Sequence, residues 1–369
     1  MSDFDLSRVD GSILVVGLGY MARAYIKELR LLGVPQDAIV GVEIDPARAV
    51  EQGKAFEILT YTNLHEAVER HNPRYAFVLS NTPSHAGVLK RLLALGVTRV
   101  FMEKPFVFKV EEIEEVDRVA RACLHPPIIE VGYLINFSPA VRALQNFIQE
   151  QDVRVLEARG LWGKDRTCSD RPTAGDAEDE LTHMLCLLVN LTCYANGTEE
   201  LYVESAAFSH TAYADAEAQA RKQGDDASFP LRPTATSQMT VRCSGAQVFL
   251  QSSFISFEQH RYVELTLGKE RPLFTARTDF DHEGSDWLRI RDLATGEIIV
   301  STQFDKNQKL TDQIKAFLTH AISGVQADGR ATDDSAGADM VRLLGQAELL
   351  GEQLQANKGR SSLEEILDD

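Results

Sequence analysis

The chain predicts an α/β protein in two parts: a doubly wound parallel sheet first, then an α+β part built on a large, mostly antiparallel open sheet. Three observations carry this. Ile13-Leu14-Val15-Val16 runs straight into Gly17-x-Gly19-x-x-Ala22 and a helical pattern. Apolar strand patterns then alternate with helical ones for about 130 residues, as a parallel sheet with crossover helices requires. Beyond Pro139 the strand candidates become longer and more alternating, with Ser244-Gly245 and Thr295-Gly296 as hairpin-type turns.

The first strand ends at a tight turn that Gly17 permits. Gly19 lets backbone amides approach a pyrophosphate, and Ala22 is small enough for close helix–strand packing. Met21, Tyr25, Leu29 and Leu32 share one helix face, and the N-terminus of this helix offers unpaired N–H groups to a phosphate. A second strand, 38–42, ends on Glu43, 24 positions after Gly19, near the ~20-residue offset of a carboxylate that holds the adenosine ribose hydroxyls. Such a carboxylate repels a 2′-phosphate and Ile44 beside it brings no positive charge, so the expected cofactor is NAD rather than NADP.

A helix over 46–54, a short strand over 57–61 and a helix capped by Asn63 and running to His71 follow. Strand 75–79 ends in Ser80-Asn81-Thr82-Pro83-Ser84-His85. Helix 84–95 leads to strand 98–102, which stops at Glu103-Lys104-Pro105. Helix 111–122 and strand 128–134 complete this part. Right-handed crossovers place Gly17, Ser80 and Glu103 along one sheet edge, where such sheets bind ligands. The expected division is a dinucleotide-binding domain over 1–130 and a substrate-binding and oligomerisation domain over 131–369.

The second part has strand candidates at 153–162, 201–208, 235–243, 248–255, 261–267, 288–293 and 298–304, with helices on one face. The polar stretch 209–233 reads as a solvated loop in preference to a lid, and 335–354 as a helix. An open sheet leaves one face uncovered. Met239, Val241, Val248, Leu250, Val263 and Leu265, assigned to that face, predict a homodimer or homotetramer.

With 38 basic and 55 acidic residues the net charge is −17, which disfavours nucleic acid and anionic membranes as partners. No apolar signal core or membrane-length run is present, and five scattered cysteines without a Cys-x-x-Cys pair read as reduced thiols. A cytoplasmic protein without a metal site is expected.

Three clusters carry chemistry. Lys104 emerges at the cofactor edge directly after a buried strand, where an ammonium can stabilise negative charge developing on a substrate oxygen. On the helix around His183, Leu181, Met184, Leu185, Leu188 and Leu191 form an apolar side. Asp179, Cys186 and Asn190 fall within about 60° of His183 on the other side. An Asp179–His183 pair suits a general acid/base, with Glu180 as the competing partner. Lys164, Arg166 and Arg171 precede this helix, where local positive charge suits a carboxylate, phosphate or nucleotide-linked sugar and equally suits pairing with Asp165 and Asp170.

These residues, with Thr82-Pro83-x-His85 and Gly132-Tyr133…Phe137-x-Pro139, resemble the Gfo/Idh/MocA oxidoreductases, which oxidise or reduce a secondary alcohol or ketone on sugars and cyclitols. The resemblance implies that Lys104 and His183 are catalytic, with Asp179 assisting. It puts the backbone at Tyr20 and Met21 against the pyrophosphate, and Asn81, Thr82, Pro83, His85, Glu103 and Lys104 about the nicotinamide. Tyr133, Asn136 and Arg166 join Lys104, Asp179 and His183 around the substrate. Two departures stand out: Asn136 where many members carry arginine, and Cys186 where many carry a second aspartate. The alternatives are a non-catalytic dinucleotide-binding regulator and an NAD-dependent glycosidase without net redox change.

Overall fold

The computed structural model describes residues 11–165, 177–197, 200–209, 236–281, 284–304, 308–324 and 333–358. The stretch read as a solvated loop, 209–233, lies outside them apart from its first residue, as do Arg166 and Arg171. The chain divides into two compact units, Met1–Phe137 with Gln308–Val341, and Ser138–Asn307 with Arg342–Asp369.

The first unit is the expected parallel sheet. Its elements run β1 (Ile13–Val16), α1 (Tyr20–Leu31), β2 (Ile39–Val42), α2 (Pro46–Phe56), β3 (Leu59–Tyr61), α3 (Leu64–His71), β4 (Tyr75–Val78), α4 (His85–Ala94), β5 (Arg99–Met102), α5 (Val110–Arg121) and β6 (Ile128–Val131). The strand order is β3-β2-β1-β4-β5-β6, all parallel. The chain leaves β1 first to one side and later to the other, so β1 and β4 flank the switch point where such sheets open a ligand crevice. Helix ends follow local chemistry: Asp45 caps α2 by accepting from Ala47 and Arg48, and Asn63 caps α3 by accepting from His65 and Glu66.

A helix from near the C-terminus completes this core. Phe317, on the helix Lys309–Ser323, stands edge-on to Phe77 and Phe101 at centroid distances of 5.3 and 5.7 Å, and Tyr25 lies 5.5 Å from Phe101. Its His320 Nδ1 lies 2.8 Å from the buried carboxylate of Glu130 on β6. Burial pushes the Glu130 carboxyl above its usual range, against the opposing pull of His320.

The second unit begins with α6 (Pro139–Gln151), whose first turn is capped by Ser138, and continues through β7 (Arg154–Asp165), α7 (Ala177–Asn196), β8 (Leu201–Ser209), β9 (Thr236–Cys243), β10 (Ala246–Ser253), β11 (Ile255–Gly268), β12 (Pro272–Asp279), β13 (Asp286–Asp292) and β14 (Ile298–Phe304). Two helices follow, α8 (Lys309–Ser323) in the first unit and α9 (Asp334–Lys358), which begins in the first unit and ends in the second. The sheet order is β14-β13-β12-β11-β7-β10-β9-β8, antiparallel except where β10 runs parallel to β7.

Register decides which residues share a face. Met239, Leu250, Gly160 and Val263 are directly paired across β9, β10, β7 and β11, and Val241, Val248, Ala158 and Leu265 form the next row on the same face. A Cβ added at Gly160 would lie 3.2 Å from Leu188 and 3.3 Å from Met184, so this face carries α7. All six apolar residues assigned to an open interface are therefore buried inside the unit, each 1% exposed or less. The expectation that they form a homodimer or homotetramer contact is corrected: α7 already covers them, and alternation alone does not say which face the helix takes.

Candidate active site

The cofactor half is assembled at the carboxyl ends of β1, β2, β4 and β5. Gly17 has φ 89°, and a Cβ there would stand 2.5 Å from the Ser80 Cα. Glycine is thus required by the neighbouring strand end as well as by the turn. Gly19 is different. Its φ is −78°, and an added Cβ would meet only the Arg48 guanidinium, at 4.0 Å. Among the described residues nothing else demands a glycine there, so the space in front of it fits a ligand approaching the α1 N-terminus. Among the described residues that terminus has no side-chain cap, and its first turn holds no acidic residue, a setting that suits an anion. Gly19→Ala should therefore fold as wild type does, with an unchanged melting temperature, while NAD binding measured by calorimetry weakens at least about tenfold, ~1.4 kcal/mol.

Glu43 follows β2 and is buried. Its carboxylate accepts from the Leu18 N–H at 3.2 Å and the Asp45 N–H at 3.4 Å. These amides aim it across the Gly17–Gly19 turn. Arg48, one turn into α2, stands 3.8 Å from the same carboxylate. The sequence reading found no positive charge beside Glu43; the helix supplies one from five residues away.

At the next strand ends, Glu103 donates its N–H to Val78 at 2.9 Å and its carboxylate accepts from Tyr25 Oη at 2.7 Å and the Lys104 N–H at 3.1 Å. Burial, then the Glu103 charge, push the Tyr25 phenol well above its usual range, so it remains a donor. Tyr25 was read as one more apolar residue of α1. The signal was available, since a buried tyrosine needs a partner for its hydroxyl. Lys104 is half-buried and joined to Pro105 by a cis peptide bond.

Asn81 is exposed, and Thr82 and Pro83 are half-buried in the short 3-10 turn that precedes α4. His85 is fully buried, with Nδ1 2.8 Å from the Pro105 carbonyl oxygen and Nε2 3.0 Å from that of Ser80. Burial lowers its pKa against the opposing pull of these carbonyls, and the ring lies between the loops after β4 and β5. Tyr20 and Met21 lie in the first turn of α1, Tyr20 exposed. Tyr133 and Asn136 are buried, and the Asn136 amide donates to the Tyr133 carbonyl at 3.2 Å.

In the second unit, one row beyond Gly160 on the same face, Ser252, Trp162 and Arg261 are paired across β10, β7 and β11. His183 on α7 stacks on the Trp162 ring at 5.5 Å with planes 5° apart. Arg261 and Lys164 lie 4.8 and 5.2 Å from that ring's centroid. Lys164 Nζ donates to Glu180 Oε1 at 2.5 Å. The Asp179 side chain lies outside the described residues, as does Arg166. Sequence reasoning missed Trp162, because its place under His183 depends on strand register and has no local signature.

Among the described residues no cluster of three or more His, Cys, Asp or Glu side chains could hold a metal ion, and no helix is long and apolar enough to cross a membrane.

A family model described as "Oxidoreductase family, NAD-binding Rossmann fold" matches residues 12–123. No curated protein matches the chain. Solved structures share the fold. A UDP-N-acetylglucosamine 3-dehydrogenase from Acidithiobacillus ferrooxidans has a TM-score of 0.71 at 16% identity, covering 93% of this chain and 98% of that one. A 3-ketoreductase from Actinomadura kijaniata, in complex with NADP and TDP-benzene, has 0.72 at 13%, covering 92% and 97%. An oxidoreductase domain protein from Kribbella flavida has 0.71 at 14%, covering 94% and 98%. At these identities the likeness shows the fold, and the family likeness rests on the sequence match: residues 12–123 match the model of the NAD-binding Rossmann domain of the Gfo/Idh/MocA oxidoreductase family.

Proposed function

We propose that the chain is an NAD-dependent oxidoreductase acting on a secondary alcohol or ketone of a sugar, sugar derivative or cyclitol. The observation that carries the reading is the open approach to Gly19, where among the described residues an added Cβ meets only Arg48, beside a carboxylate held by two backbone amides; this suits a dinucleotide with free ribose hydroxyls. A sugar-like substrate is supported by two structural neighbours whose names are those of a sugar-nucleotide 3-dehydrogenase and a 3-ketoreductase.

Bound NAD supplies the acceptor or donor of the hydride. The chain's own residues do the rest. Gly17, Gly19, Tyr20 and Met21 would receive the pyrophosphate, and Glu43 would accept from the ribose hydroxyls. Asn81, Thr82, Pro83 and Glu103 would border the nicotinamide end, where the Lys104 ammonium would stabilise negative charge on the reacting oxygen. His183 would take the hydroxyl proton in oxidation and return it in reduction. The Trp162 face would hold the imidazole in one plane meanwhile.

The cofactor preference has a direct test. Glu43→Ala should weaken NAD binding by roughly 1–3 kcal/mol through lost charge-assisted hydrogen bonds. It also frees Arg48 for a 2′-phosphate, so NADP should bind the variant more tightly than it binds wild type. Calorimetry with both dinucleotides on both proteins measures this. Tighter binding of NADP than NAD by wild type overturns the assignment of Glu43.

A further inference from the structure

We propose that Cys193 and Cys243 are a modification site, forming a reversible disulfide that fastens the C-terminal end of α7 to the end of β9. Their sulfurs stand 3.8 Å apart, in van der Waals contact. Cys193 lies on the last turn of α7 and is half-buried, while Cys243 is the last residue of β9 and fully buried. Cys243 shares the parity of Val241 and Met239 along β9, which places it on the sheet face that α7 covers.

The surroundings hold the two sulfurs at this spacing. Asn196, one turn beyond Cys193, accepts from the Val155 N–H at 2.9 Å and donates to the carbonyls of Val155 at 2.8 Å and Ser244 at 3.1 Å. The helix end is thereby clipped to β7 and to the turn that follows Cys243. Ser244 (φ 46°) and Gly245 (φ 81°) form the tight turn directly after Cys243, which fixes its backbone. Rotation about side-chain bonds is then the movement needed to go from contact to bonding distance.

The oxidant is a hydroperoxide. The half-exposed Cys193 sulfur attacks it; the O–O bond breaks, an S–O bond forms, and water or an alcohol leaves. Cys243 sulfur next attacks Cys193 sulfur, the S–S bond forms, and the hydroxyl departs with the Cys243 proton as water. Two thiols lose two electrons together and one peroxide gains them. Cys193 is the half-exposed sulfur and Cys243 the buried one, which assigns the first oxidation to Cys193; the neighbouring Cys193 thiol, then burial, raise the Cys243 pKa. A dithiol reductant reverses the bond.

The test uses the full chain. Folded protein is treated with equimolar hydrogen peroxide, remaining thiols are alkylated, and the digest is mapped without reduction. The expected result is a peptide linking Cys193 to Cys243, released by dithiothreitol and absent from Cys193→Ala and Cys243→Ala. Closing a 50-residue loop should also raise the melting temperature of the oxidised wild type by roughly 5–10 °C over the reduced form. Neither alanine variant should show that shift. Should a variant fail to fold, the wild-type map still decides. Cys193 recovered as sulfinic or sulfonic acid, joined to another cysteine such as Cys168, or still reduced while other thiols react, overturns the proposal.

Discussion

Lys104→Met is expected to lower turnover roughly 10²–10³-fold while leaving NAD affinity within a few-fold. Glu103 is held by Val78 through its amide and by Tyr25 through its carboxylate, and that carboxylate also receives the Lys104 backbone N–H. Methionine keeps the length and apolar stem of lysine and removes the charge. A loss confined to turnover therefore reports charge stabilisation at the reacting oxygen. Steady-state kinetics with calorimetric NAD binding measures both quantities, and wild-type turnover in this variant contradicts the assignment.

Replacing His183 should cost about 10²–10⁴-fold in turnover, the range of a lost general acid/base. Packing and proton transfer must be separated here, because His183 is buried and stacked on Trp162. Asn in its place removes both the stack and the proton carrier. His183→Phe keeps an aromatic plane over the indole and removes only the proton carrier. Both variants should fall equally, and the pH–rate limit that His183 sets should vanish in both. Activity retained by Phe and lost by Asn assigns the residue a packing role.

The parts of this protein legible in its sequence are those whose signal is local. Gly17, Gly19 and Ala22 declare a strand–turn–helix within ten residues, and the carboxylate of Glu43 ends the very next strand. Asn63 and Pro46 mark helix starts because capping is a matter of neighbouring residues. The half-buried β12 escaped because Leu273 and Phe274 are adjacent, which breaks the alternation that betrays a strand. The contribution of Phe317 to the first core could not be read, since its partners Phe77 and Phe101 lie more than two hundred residues earlier.

The same division runs through the candidate site. Lys104 announces itself by following a buried strand. Arg48 reaches Glu43 only because α2 turns back over β2, and Trp162 meets His183 only through the register of β7 beneath α7. The face of the second sheet was misjudged for the related reason that a period of two identifies an apolar face without saying what covers it. Gly160 was the clue: a strand position with no side chain, over which Met184 and Leu188 of α7 approach.

The central claim is that hydride moves between a sugar-like carbon and the nicotinamide. It is tested by incubating the protein with NAD and a panel of cyclitols, sugar acids and sugar nucleotides carrying deuterium on their ring carbons. The account predicts NADH labelled at C4, formed in equal amount with a product oxidised at one secondary carbon. A substrate cleaved at its glycosidic bond with no net NADH would contradict it, and so would NAD binding with no redox product from any member of the panel.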